Sequence, residues 1–406
     1  MAPKLLDAPR TALVLSGGGV RGAYEVGVVS GIVEILGLRP EDKAPFQVFT
    51  GTSVGAINTA WFASRAHQGD MGVDRLVDLW CGLTLLEDLQ VDLLGALAWA
   101  RPGLKARLGL GDAAGRALMN AEPLEQIIRH RMDWSRLHRN IEQDIVHACI
   151  VAALRMDTGV TTLFAELSPQ TTFEPSRDPR RRSAAVRLSA DHVLASAAIP
   201  IVFPPRKIDG HRYVDGGLRF NTPIAPALRT GATRLVVVSV RFPVETSDAP
   251  TELDDDKAPS LTFLMGKLLN ALLLDPIHYD LQVLERFNRL IDILHSTVPA
   301  DRMSKIDAAM TEIRGQAYRP VRTLVFHPSC DLGAMAGAHI REHGLNVGEG
   351  LSARLKARGL QLLTGKNSDL GSFLLFDGAF ARTLIDLGRR DALARRTSIR
   401  AFFGAL

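Results

Sequence analysis

The chain has 406 residues, 46% hydrophobic and 23% charged, a balance that suits a globular protein with a large core and excludes a disordered one. The formal net charge of +4 favours anionic surfaces such as lipid headgroups and gives no footing for nucleic-acid binding. Three widely spaced cysteines, Cys81, Cys149 and Cys330, form no C-x-x-C, so neither a disulfide framework nor a cysteine zinc site is expected, and a reducing, cytoplasmic setting fits.

The N-terminal residues lack the continuous apolar stretch of a signal peptide, and no segment offers about 18 uncharged apolar residues, so no transmembrane helix is expected. Thr11–Ser16 (TALVLS) reads as a short buried strand stopped by Gly17–Gly19, and Val20–Leu38 as a helix. Gln47–Thr50 is a second strand and Val54–Ala66 a second helix. Such alternation predicts a mainly parallel sheet with helices on its faces. Helical patterns follow at Val73–Leu83, Leu85–Trp99 and Pro123–Met132, and strands at Ile145–Arg155 and Val160–Glu166. Thr171–Arg182 reads as an exposed loop, Ala190–Ala198 as a helix and Arg212–Val214 as a strand ending at Asp215. Thr222–Arg229 is a predicted helix and Arg234–Val240 a strongly apolar strand. Phe242–Ser260, with its prolines and the acidic run Asp254–Asp256, reads as a surface excursion. Helical patterns at Leu261–Leu274 and Tyr279–Leu294, a strand at Thr323–His327 and a mostly helical remainder complete the chain.

Gly17-Gly18-Gly19-Val20-Arg21-Gly22 satisfies G-x-G-x-x-G between a strand and a helix. It serves either a nucleotide phosphate or an oxyanion hole, since both need converging backbone N–H groups at the positive end of a helix. The dinucleotide reading wants an acidic residue ending the next strand; Glu41 and Asp42 instead follow Pro40 in a polar loop. Gly51-Thr52-Ser53-Val54-Gly55 is G-x-S-x-G, again between strand and helix, where a sharp turn lifts a serine hydroxyl to the sheet edge. With a glycine loop after an earlier strand, this pattern favours a nucleophilic Ser53 over an incidental one. Its base is either a late histidine, His327 being the best placed, or Asp215, which ends a strand and is followed by Gly216-Gly217. An aspartate before glycines is also a common plain turn.

Gly17–Gly22, Gly51–Gly55 and Asp215–Gly217, in that order, resemble the three signatures of patatin-like phospholipases. Ala195–Pro200 (ASAAIP) and Phe373–Ala392 are similar to other stretches of that family. The resemblance departs from the commonest pattern only at Gly217, where many members have alanine. It implies a three-layer α/β/α fold with a central, mainly parallel sheet and a Ser53–Asp215 dyad without histidine. It also implies an oxyanion hole at Gly17, Gly18, Gly19, Arg21 and Gly22, a nucleophile elbow of Gly51, Thr52, Val54 and Gly55, and a dyad loop of Gly216 and Gly217. The substrate implied is a phospholipid or other lipid ester, reached through peripheral contact with a membrane, with no metal, cofactor or nucleic acid. The expected division is a hydrolase domain over 8–330 and a mostly helical extension over 331–406 packed on it. Nothing in the sequence speaks to oligomeric state.

His339-Ile340-Arg341-Glu342-His343 matches H-x-x-E-H, which makes a metal-dependent hydrolase using His339, Glu342 and His343 an alternative to an exposed helical face. A nucleotide-binding protein using Gly17–Gly22 is the other alternative. The apolar stretches Leu85–Trp99 and Leu261–Leu274 suit either core packing or a membrane-docking lid. Arg177, Arg180–Arg182 and Arg187 suit either a solvated loop or contact with anionic headgroups.

Overall fold

The computed structural model describes residues 9–83, 90–91, 119–173, 175–200, 202–243, 266–271, 277–314, 320–343 and 369–404. Strand β1 (Thr11–Leu15) leads through a 3-10 turn (Gly19–Arg21) into α1 (Gly22–Leu36), and β2 (Val48–Thr52) is followed by α2 (Val54–Ser64) and α3 (Val73–Cys81). The short pair β3 (Gln90–Val91) and β4 (Met119–Asn120) precedes α4 (Glu122–Arg131) and α5 (Trp134–Glu142). Then come β5 (Ala148–Arg155), β6 (Thr161–Leu167), β7 (Arg181–Ala185), α6 (Ala190–Ser196), β8 (Arg206–Ile208), β9 (His211–Asp215), α7 (Ile224–Arg229) and β10 (Arg234–Val238). A short helix at 266–271 precedes α8 (Ile277–Thr297), α9 (Ala300–Arg314), β11 (Arg322–Phe326) and α10 (Leu332–His343). The last described elements are α11 (Asp369–Leu374), α12 (Gly378–Ala394) and α13 (Arg396–Phe403).

Among the described residues the central sheet has nine strands in the order β11-β10-β1-β2-β5-β6-β7, with β9 on β5 and β8 on β9. The pairs β11–β10, β10–β1, β1–β2, β2–β5 and β6–β7 are parallel, while β5–β6, β5–β9 and β8–β9 are antiparallel. Both faces of the central strands are covered, which is why their sequences are continuous apolar runs. On one face Leu13, Leu15, Phe49 and Val151 join the buried side chains of α1, α2 and α12. On the other, Ala12, Val14, Val48 and Ile150 pack with Ile224 and Ala227 of α7 and with Leu281 and Leu284 of α8. This is the expected three-layer α/β/α arrangement. Helix α12 contributes the fully buried Phe380, Ala381 and Leu384 to the first face. Each large apolar side chain so buried contributes roughly 2 kcal/mol.

Two expectations are revised. Gln90–Val91, inside the predicted helix Leu85–Trp99, pairs antiparallel with Met119–Asn120; the rest of that stretch lies outside the described residues. Arg181 and Arg182 open strand β7, and the Arg181 guanidinium lies 4.1 Å over the Phe220 ring. Within Leu261–Leu274, helix is described at 266–271, and of the excursion Phe242–Ser260 only Phe242 and Pro243 are described. No helix among the described residues is long and apolar enough to cross a membrane.

Candidate active site

Strand register brings Ser53 and Asp215 together. Thr52, the last residue of β2, lies opposite Ala152 of β5, and Asp215, the last residue of β9, lies opposite Ala153. Strand β6 occupies the other edge of β5 at these positions, so β9 continues the place that β2 vacates. The chain leaves β2 through Ser53 with φ 57° and ψ −130°, a conformation costly for a residue with a side chain. The flanking glycines permit it: a Cβ on Gly51 would stand 2.3 Å from Gly55 O, and one on Gly55 2.5 Å from Ser16 O. Ser196 of α6 fixes the elbow from the side, accepting from the Ser53 amide (2.9 Å) and donating to Ala152 O (2.6 Å).

Ser53 Oγ donates to Asp215 Oδ2 at 2.5 Å, and the Gly217 amide donates to Asp215 Oδ1 at 2.7 Å. Asp215 has no exposed surface and Ser53 is 1% exposed. Burial pushes the Asp215 carboxyl up from 3.8 to about 7, against the opposing pull of those two hydrogen bonds. Gly216 packs over the β5 backbone at Ala152. The loop behind the aspartate is stitched to the sheet by Thr52 Oγ1 to Phe220 O (3.0 Å) and Thr50 Oγ1 to Pro223 O (3.0 Å).

The glycine loop stands beside this pair. The Gly17 amide donates to Asn221 Oδ1 (2.9 Å), the Arg21 amide to Gly18 O (3.3 Å), and the Gly22 amide back to Gly19 O. Among the described residues neither the Gly18 nor the Gly19 amide donates to a protein acceptor. Gly19 has φ +60°, and a Cβ there would stand 2.0 Å from Phe373 O, so a segment distant in sequence roofs the loop. The Arg21 side chain points into that roof: its Nη2 and Nε donate to Ser372 Oγ (2.5 and 3.0 Å), and its guanidinium lies 4.2 Å from the Phe373 ring centre. Beneath the loop, buried Glu25 accepts from the Ser16 amide (2.7 Å) and from Asn58 Nδ2 (3.0 Å), and burial holds its carboxyl well above the usual carboxylate range. Asn58 in turn accepts from Trp80 Nε1 (3.2 Å), tying α1, α2 and α3 together under the site.

A cleft of about 730 Å³, its open mouth included, starts at Ser53 and Gly19 and runs between α2, α3 and α4. Ile57, Trp61, Leu79, Trp80, Ile127, Ile128, Phe203 and Phe376 line it, and Trp80 stacks on Phe376 at 6.4 Å. Arg131, at the end of α4, is the one charged residue lining it among the described residues.

His327 follows β11, three strands from β2 at the far edge of the sheet, and the acceptor at Ser53 Oγ is Asp215. His339 turns its Nε2 to Asp377 Oδ1 (3.2 Å) and its ring onto His343 (4.7 Å), while Glu342 is exposed. Among the described residues no group of three or more histidine, cysteine or acidic side chains is arranged to hold a metal ion. Ser196, Asn221, Trp80, Phe376 and Arg131 belong to the site without having been singled out in the sequence. Ser196 lies within the ASAAIP stretch and Phe376 within Phe373–Ala392; Asn221, Trp80 and Arg131 carry no spacing signal.

The family model described as patatin-like phospholipase matches residues 13–228. A Pseudomonas aeruginosa (strain BWHPSA011 / Pa011) protein, the cGAMP-activated phospholipase, is 27% identical over 212 residues, which are 52% of this chain and 53% of that protein. The chain therefore spans about half the length of that relative. The crystal structure of VipD from Legionella pneumophila superposes with a TM-score of 0.33 and 14% identity, covering 87% of this chain and 66% of that one.

Proposed function

The chain belongs to the patatin-like phospholipase family, and from that premise we propose that it is a lipid acyl hydrolase using Ser53 as nucleophile and Asp215 as base. The observation that carries this reading is the 2.5 Å contact of Ser53 Oγ with the buried Asp215 carboxylate at the head of an apolar cleft. An ester carbonyl seated at Ser53 with its acyl chain in the cleft is attacked by Oγ as the proton passes to Asp215 Oδ2. The amides of Gly18 and Gly19 hold the oxyanion, aided by the positive end of α1. Collapse of the tetrahedral species expels the alcohol, which leaves with the proton from Asp215. Water then attacks the acyl-enzyme, gives its proton to Asp215, and Ser53 recovers its hydrogen as the fatty acid leaves. A carboxyl raised to about 7 is a far stronger base than an ordinary aspartate, which favours the proton transfer at neutral pH. The scheme requires no metal, and the lipid it serves is reached from a membrane or micelle surface.

A fluorophosphonate probe tests the assignment directly. Wild type is labelled and Ser53→Ala is not, with and without cGAMP, the nucleotide that gives the Pseudomonas relative its name. Labelling that persists in Ser53→Ala moves the nucleophile elsewhere.

A further inference from the structure

We propose that Arg131 reads the phosphate of the substrate headgroup, so that this cleft selects phosphate-bearing acyl esters over neutral ones. The inference rests on the acyl-hydrolase reading and adds a specificity residue to it. Among the described residues, every one lining the cleft besides Ser53, Gly19 and Arg131 is apolar, so the cleft accommodates an acyl chain and offers one cation in the cleft that opens at Ser53.

Arg131 is exposed, and among the described residues its side chain makes no ion pair or hydrogen bond. Its neighbours are committed. Arg129 on the same helix is held by Glu125 (2.8 Å) and Asp191 (2.5 Å), and Arg206 is held by Glu125 (2.6 Å). The arginine of the glycine loop is committed too, since Arg21 is 4% exposed and bound to Ser372, Asn270 and the Phe373 ring. Among the described residues, the guanidinium left to meet an anion in this cleft is therefore Arg131. Its planar fork matches two phosphate oxygens at once.

A packing role for the Arg131 stem, or a favourable charge at the end of α4, would act on every substrate alike. A headgroup role changes the ratio between substrates. The test uses monomeric substrates, so that attraction to a charged vesicle plays no part: dihexanoyl phosphatidylglycerol against the neutral nitrophenyl hexanoate. In Arg131→Met the ratio of kcat/KM for phospholipid to that for neutral ester falls about ten- to a hundredfold, chiefly through KM, as expected for loss of a charge-assisted pair. Arg131→Lys retains part of the preference. An unchanged ratio in Arg131→Met overturns the proposal, whatever happens to the absolute rates. Inorganic phosphate separates the headgroup from the free ion: inhibition of nitrophenyl hexanoate turnover by micromolar phosphate, lost in Arg131→Met, would make this a free-phosphate site and overturn the headgroup assignment. Absence of Ser53-dependent turnover of the neutral ester would instead count against the hydrolase reading itself.

Discussion

Asp215 has no exposed surface, and its one charged state faces Ser53 Oγ and the Gly217 amide, with no cation beside it among the described residues. Desolvation is therefore the largest influence on its carboxyl and moves it from 3.8 to about 7. The sign of the consequence is fixed. A protonated Asp215 cannot take the Ser53 proton, so kcat/KM falls as pH drops through about 7 and approaches a tenfold loss per further pH unit. Stability runs the other way: between 3.8 and about 7 the folded state binds more protons than the unfolded one, so this residue's contribution weakens as pH rises through that window. A pH profile of nitrophenyl hexanoate hydrolysis checks the first statement, and a flat rate from pH 5 to 8 contradicts it. The turns that carry Ser53 and Asp215 were legible because G-x-S-x-G and the aspartate before two glycines each impose a local backbone shape. Ser196, Asn221 and Arg131 were not, because each reaches the site through tertiary structure from a different part of the chain.

Helices α1 and α12 meet at very short range. A Cβ on Gly27 would stand 2.0 Å from Ile385 O, and one on Gly388 2.2 Å from Tyr24 O. Both neighbours are backbone, so neither site can yield by turning a side chain. Gly27→Ala therefore forces the helices apart at a cost of about 1–3 kcal/mol, and thermal denaturation should show Tm lowered by several degrees; an unchanged Tm would mean that the crossing relaxes freely. The predicted helix over Val20–Leu38 and the strands at Thr11–Ser16 and Arg234–Val240 were readable to within a few residues, because long apolar runs bounded by glycine leave few options. The antiparallel placement of β9 against β5 was not readable. A five-residue strand carries no mark of its partner, and its position depends on β2 ending one residue before the serine.

Across the whole molecule, strand alternation announced the three layers, and the three glycine-bearing motifs announced where their loops converge. The role of the C-terminal residues was less visible. Phe373 roofs Gly19, Ser372 holds Arg21, and Phe376 forms part of the cleft wall with Trp80. The sequence marked this region as part of a mostly helical remainder, but only packing decides which cleft a side chain lines. The central claim is that Ser53 and Asp215 act as one unit on lipid esters. It is tested most directly by fatty-acid release from mixed phospholipid vesicles, comparing wild type, Ser53→Ala, Asp215→Ala and the double variant, each with and without a chelator. The account predicts chelator-resistant release by wild type, a loss of about a thousandfold or more in either single variant, and a double variant hardly worse than either. Losses that multiply in the double variant, or release that survives Ser53→Ala, would contradict it.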